Sequence, residues 1–170
     1  DLIEHNGWQP NLKALEALHF PAEITTDAKV IPALVSRRIA AGSDTVEAFR
    51  STVAAFEGSV AIAAQVAAEP GRLLLAQRGS GQALYVGVAE EAFVIASEPY
   101  GVVEECDRSL RLDGETMLVP GEPATQGQIV SVSAARGVER WSYDGSTLPV
   151  DETEMKRPEI TTRDVDRGVA

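Results

Sequence analysis

The chain has 170 residues, with 15 Lys and Arg against 26 Asp and Glu, and a formal net charge of −11. That length suits one domain or a small pair of subdomains, able to bury roughly 70% of the unfolded surface. The acidic excess, without any Lys/Arg cluster, excludes a phosphate-binding footprint, so neither nucleic acid nor an anionic membrane is an expected partner.

No run approaches the ~20 apolar residues of a membrane span. A single cysteine, Cys106, cannot form an intramolecular disulfide, and the expected location is the reducing cytoplasm. The chain opens on Asp1 without an initiator Met, a basic n-region or an apolar h-region. It therefore reads as a segment excised from something longer, with no visible signal peptide.

Along the chain, His5-Asn6-Gly7 carries an Asn-Gly turn signal. Leu12, Leu15 and Leu18 then recur at spacing three before Pro21, which predicts a short helix. Thr25-Thr26-Asp27 reads as the start of a second helix, with Val30, Ile31, Leu34, Val35 and Ile39 on one face and Gly42 closing it. Pro32 inside that pattern predicts a kinked or irregular first turn. The next helix has the firmest local signal. Asp44-Thr45-Val46-Glu47 resembles a capping box, Val46, Phe49, Val53 and Phe56 follow at three- and four-residue steps, and Gly58 ends it.

The period then switches to strands. Runs at 60–67, 73–77, 83–88 and 92–96 are separated by Glu69-Pro70-Gly71, Gly79-Ser80-Gly81 and Glu90-Glu91, which predicts an antiparallel meander. Residues 97–105 fit either a short helix or a loop. A hairpin is expected over 109–112 and 115–119 around Asp113-Gly114, a strand over 128–133, and a last hairpin-like element over 138–143 with Asp144-Gly145. From residue 148 the chain turns polar, with Pro149 and Pro158, and reads as an extended tail or linker. Helices followed by a run of strands give an α+β fold.

Few residues announce chemistry. Cys106 lies in Glu104-Glu105-Cys106-Asp107, where the acidic neighbours raise rather than lower a thiol pKa, so a structural cysteine is favoured over a nucleophile. Gly79-Ser80-Gly81 lacks the following Lys of a phosphate cradle and reads as a strand-connecting turn. Trp8 and Trp141 read as packing residues. No His, Cys or carboxylate cluster has ligand spacing, so no metal and no cofactor is expected. The informative pattern is Asn6-Gly7 followed by Asp27 at a helix start. An Asn amide beside an open Gly N–H gives two donors for an oxyanion, and a carboxylate at a helix N-terminus can receive an ammonium group. From spacing alone, a turn and a helix cap explain the same residues.

Several ordered strings carry a family resemblance. Glu4-His5-Asn6-Gly7, Ile24-Thr25-Thr26-Asp27-Ala28-Lys29-Val30-Ile31 and Phe56-Glu57-Gly58-Ser59-Val60-Ala61 come first. Residues 72–88 (RLLLAQRGSGQALYVGV), Phe93-Val94-Ile95-Ala96-Ser97-Glu98 and Asp113-Gly114-Glu115 follow in the same order. Together they resemble the glutaminase domain of the glucosamine-6-phosphate synthase (glutamine–fructose-6-phosphate transaminase) family, a class II glutamine amidotransferase of the N-terminal-nucleophile group. The resemblance implies part of an αββα N-terminal-nucleophile sandwich with mostly antiparallel sheets. It makes residues 1–147 the C-terminal portion of the glutaminase-like domain, and 148–170 a tail towards sugar-isomerase (SIS) domains outside this chain.

It also implies roles. Asn6 through its side chain and Gly7 through its N–H would form the oxyanion hole, and Asp27 would hold the α-amino group of L-glutamine. The nucleophile would be an N-terminal Cys absent from this chain, which is therefore expected to be inert alone. Ammonia would pass to a sugar phosphate, fructose-6-phosphate, through the downstream domains, in a protein that could be a homodimer. A different expectation follows from the Asn6–Asp27 span, which is shorter than the family's by about a helical turn. On that reading the chain is a degenerate glutaminase-like module that binds or regulates, attached to sugar-phosphate isomerase domains.

Overall fold

The fold is described from a computed structural model in which residues 27–56, 58–79 and 82–159 are placed. Helix α1 spans Asp27–Ala40 and α2 spans Thr45–Val53. Strands β1 (Val60–Gln65), β2 (Arg72–Arg78), β3 (Tyr85–Val88) and β4 (Phe93–Ala96) follow, then a short helix α3 (Tyr100–Val103). Strands β5 (Arg108–Arg111), β6 (Gln128–Ser133), β7 (Gly137–Trp141) and β8 (Thr147–Leu148) complete the order. The helix expected over residues 11–20 lies outside the described residues.

Helix α1 runs unbroken through Pro32, so the irregular first turn expected there does not occur. Proline's fixed φ matches the helix, while the lost N–H donor and the crowding of its ring against the carbonyl four residues back are costs the helix bears without a break. Helix α2 starts at the expected cap, with Asp44 Oδ1 accepting the Glu47 N–H at 3.1 Å. The capping box is half made, because the Glu47 carboxylate turns to Arg50 at 2.6 and 2.7 Å. The helix ends at Val53, five residues before Gly58. Ala55 and Phe56 donate to Thr52 and Val53 three residues back, and Arg78 Nη1 donates to the Phe56 carbonyl at 3.1 Å. The chain is thus drawn out of the helix while Phe56 stays buried.

Among the described residues all strand pairing is antiparallel. The larger sheet has the order β1-β2-β6-β7-β8 and the smaller β4-β3-β5. The mixed helix and antiparallel-sheet class read from the sequence therefore holds, but the single meander does not. After β2 the chain leaves its sheet, β3 opens the second one, and β2 takes β6 as its other neighbour.

The alternation of side chains along β2 and β6 feeds two cores. Leu74, Ala76 and Ile129 face the helices, where they meet Val30, Phe49, Val53 and Phe56. Leu75, Val130 and Val132 face the smaller sheet and meet Val86, Leu110 and Leu112. On the outer side of that sheet, α3 lies against β3 and β4. There Gly87 makes a close approach: a Cβ at this position would overlap Cys106 Sγ and press on Val102 Cγ1 at 3.0 Å.

The hairpin expected over 109–112 and 115–119 is corrected. Strand β5 pairs with β3 instead, and the Asp113 carboxylate accepts the N–H groups of Glu115 and Thr116 at 2.8 and 3.0 Å, turning the chain away. Residues 115–119 then lie against Thr125, with Leu118 and Val119 largely exposed. Residues 149–159, expected to be extended, instead make a single 3-10 turn at Glu152–Glu154 and pack back on the sheets: Lys156 pairs with Ser109, Met155 packs partly buried against the inter-sheet core, and Pro158 is buried.

The Gly87 contact gives a stability test. Gly87→Ala is expected to destabilise the fold by about 1–3 kcal/mol, the usual range for overpacking. Cys106→Ala in the same chain removes the obstructing Sγ and should recover part of that loss. Urea unfolding of the two single variants and the double variant measures the coupling.

Candidate functional site

The residues singled out from the sequence fall mainly at the N-terminal side. His5, Asn6 and Gly7 lie outside the described residues. Asp27 is the first residue of α1, so its backbone stands at the positive end of that helix. From Ala28 to Ile39, α1 forms one wall of a groove of about 680 Å³, opposite β1 and the segment up to Ala68, with Phe49 and Leu74 at its base. Among the described residues none lining it is charged, and the polar ones are Ser36 and Gln65. Gln65 is engaged, donating to the Pro70 carbonyl at 2.5 Å. The groove offers apolar contact rather than a receptor for carboxylate and ammonium groups.

A second cleft, of about 540 Å³, opens where the two sheets end. Its apolar residues include Leu73, Val88, Phe93 and Val132, and Glu90 and Glu91 line it too. Among the described residues, no group of three His, Cys, Asp or Glu side chains could hold a metal ion, and no helix is long and apolar enough to cross a membrane.

Each residue weighed for chemistry has a defined place. Cys106 is buried. Burial pushes its thiol pKa up, and the charges of Glu105 and Asp107 push it further, so the thiolate a nucleophile needs is suppressed. Gly79 donates its N–H to the Gly114 carbonyl at 2.5 Å, which leaves that N–H unavailable to an anion; Ser80 and Gly81 lie outside the described residues. Trp141 packs on the helix-side core, and Trp8 lies outside the described residues.

The densest polar arrangement lies where the chain crosses between sheets. Gln77, fully buried, donates through Nε2 to the carbonyls of Gln82 at 2.8 Å and Gly79 at 3.3 Å, while its Oε1 has no partner among the described residues. A Cβ at Gly114 would collide with the Gly79 carbonyl and with the Gln77 side chain, so the loop at Asp113-Gly114 seals this crossing. Nearby, Arg78 lies 4.7 Å from the ring centroid of buried Tyr143 and donates to the carbonyls of Phe56 and Pro123. Burial raises the Tyr143 phenol pKa, with Arg78 opposing, so the ring stays neutral beneath the guanidinium. These residues build a scaffold, and none of them announces itself in the sequence, because most of their partners are 5 to 65 positions away.

Asp113 gives the site region a pH signature. Burial alone would raise its pKa, but the hydroxyl and N–H of Thr116, the N–H of Glu115 and the charge of Arg111 together hold it below the ordinary aspartate range. A carboxylate whose folded pKa is depressed adds stability above its unfolded pKa, and that contribution is lost as the pH falls through the folded value. Asp113→Ala is therefore expected to destabilise by about 1 kcal/mol at pH 7. The gap to the parent chain should close as the pH falls below the ordinary aspartate range, which thermal unfolding from pH 7 to pH 2.5 measures.

No family model matches the chain. It is similar to glutamine–fructose-6-phosphate aminotransferase (isomerizing) of Methanothermobacter thermautotrophicus, at 33% identity over 125 residues, covering 71% of this chain and 21% of that protein. The enzyme of the same name from Geobacillus kaustophilus is 34% identical over 128 residues, covering 72% of this chain and 21% of its own length. That from Pseudomonas syringae pv. tomato is 29% identical over 152 residues, covering 87% of this chain and 22% of its own length. The chain thus spans about a fifth of the length of the curated relatives it matches, and along most of its own length it is similar to enzymes named as glutamine–fructose-6-phosphate aminotransferases.

Proposed function

We propose that this chain is the C-terminal portion of a glutamine-hydrolysing domain, in a protein that supplies ammonia from L-glutamine to fructose-6-phosphate to make glucosamine-6-phosphate. The observation that carries this is the similarity, over 125 to 152 residues, to enzymes of that name. The layering supports it: two antiparallel sheets face each other, with α1 and α2 outside the larger and α3 outside the smaller, in keeping with part of an αββα N-terminal-nucleophile sandwich. Residues 148–170 would lead towards sugar-isomerase domains beyond this chain.

In this reading the Asn6 side-chain amide and the Gly7 N–H stabilise the oxyanion formed at the glutamine side-chain carbonyl, and Asp27 receives the α-ammonium group. The thiol of an N-terminal Cys, supplied from outside these 170 residues, attacks that carbonyl while its own α-amine takes the proton. The tetrahedral intermediate collapses to a γ-glutamyl thioester as the same amine returns the proton to departing ammonia. Water then cleaves the thioester to glutamate. Cys106 is not the nucleophile, since it is buried and its thiol pKa is raised. The second reading, a non-catalytic module that binds or regulates, is favoured by the short Asn6–Asp27 span.

In the full-length protein, Asp27→Ala should raise the glutamine KM about ten- to a hundredfold, the worth of one charged hydrogen bond, while synthesis from free ammonia is unchanged. The 170-residue chain alone should release no glutamate from glutamine. Unchanged glutamine kinetics in the variant would remove Asp27 from the site. Absence of glutamate release by the full-length parent would favour the non-catalytic module.

A further inference from the structure

Residues 149–158 are attached to both sheets by a small set of specific contacts. On the larger sheet, Arg140 of β7 is only 7% exposed, and its guanidinium is held by this segment: Nη1 and Nη2 donate to the Glu154 carboxylate at 2.8 and 3.0 Å, and Nη2 also donates to the Pro149 carbonyl. On the smaller sheet, Ser109 of β5 donates its N–H to the Lys156 carbonyl at 2.7 Å and accepts the Lys156 N–H at 3.0 Å, and its Oγ donates to the same carbonyl at 3.3 Å. The segment also makes its own turn, with Asp151 accepting the N–H groups of Thr153 and Glu154.

Its apolar anchorage is slight. Met155 is partly buried against the inter-sheet core and Pro158 is buried, whereas every fully buried member of both cores belongs to residues 30–143. Lifting the segment therefore leaves both cores packed, and such weakly anchored units open well below the global unfolding free energy. The attachment is nonetheless cooperative. One guanidinium holds two points five residues apart, and a nearly buried cation stripped of its carboxylate is strongly disfavoured. Intermediate states, with the segment attached at one point and loose at the other, are correspondingly scarce.

We propose that residues 149–158 form a releasable strap, which docks and undocks as one unit over intact sheets, with the Arg140–Glu154 pair as its fastening. This stands independently of the function proposed above, because it concerns contacts within the chain. Its effect is to set whether the residues beyond 159 leave from a fixed point on the sandwich or from a free tether.

Amide hydrogen exchange on the chain, resolved by NMR, tests it. Ser109 and Lys156 should show one common protection factor, at least tenfold below that of the most protected amides of β2 and β6. Glu154→Ala, at a side chain 42% exposed, should speed both by a further tenfold or more while leaving β2 and β6 unchanged. Protection of Ser109 and Lys156 equal to that of β2 and β6 would overturn the proposal, because the strap would then open only with global unfolding. Equal acceleration of all these amides in the variant, or none at Ser109 and Lys156, would overturn it as well.

Discussion

The structure depends on two adjacent strands buried on both faces. Paired Leu74 with Ser131 and Ala76 with Ile129 look toward the helices, while Leu75 with Val130 and Leu73 with Val132 look toward the second sheet. The register of β2 on β6 therefore assigns every side chain to one core or the other. A slip of one residue would exchange the two sets, taking each side chain out of the core it now fills. Each core holds that register independently, and this double constraint explains why a pair of sheets with few large aromatic side chains has a defined pairing.

That constraint also shapes what could be read from the sequence. Strand β6 matches its expected bounds, since an apolar run closed by Gly127 and by residues 134–136 leaves little choice of ends. Helix α2 was legible from its cap and spacing, because these are local signals. The departure of the chain from β2 to a second sheet was not. Nothing within the short runs distinguishes a neighbour in the same sheet from one in the sheet stacked upon it. The Asp113-Gly114 pair marks a turn in the sequence, but its carboxylate closes an Asx turn instead of a hairpin, and β5 takes β3, remote in sequence, as its neighbour.

Of the candidate site, the sequence conveys where a helix begins but not what surrounds its residues. Asp27 stands at the start of α1, as its position ahead of an apolar periodicity implies, whereas Asn6 and Gly7 lie outside the described residues. Cys106 is sequestered chiefly by burial; the acidic neighbours seen in the sequence add to that effect, and the larger cause was not visible there. The Arg140–Glu154 pair spans 14 positions between a strand and an irregular segment. No periodicity marks such a pair, and a strand arginine facing inward would ordinarily read as outward-facing.

Ten extended residues reach about 33 Å. Were the stretch from Pro149 to Pro158 loose, any group attached beyond it could range over a volume set by that length, and its concentration near the sandwich would fall steeply with slack. Seated against β5 and β7, the same ten residues contribute no slack at all. The guanidinium of Arg140 thus acts on distances far larger than its own, by deciding how much tether the chain has to spend.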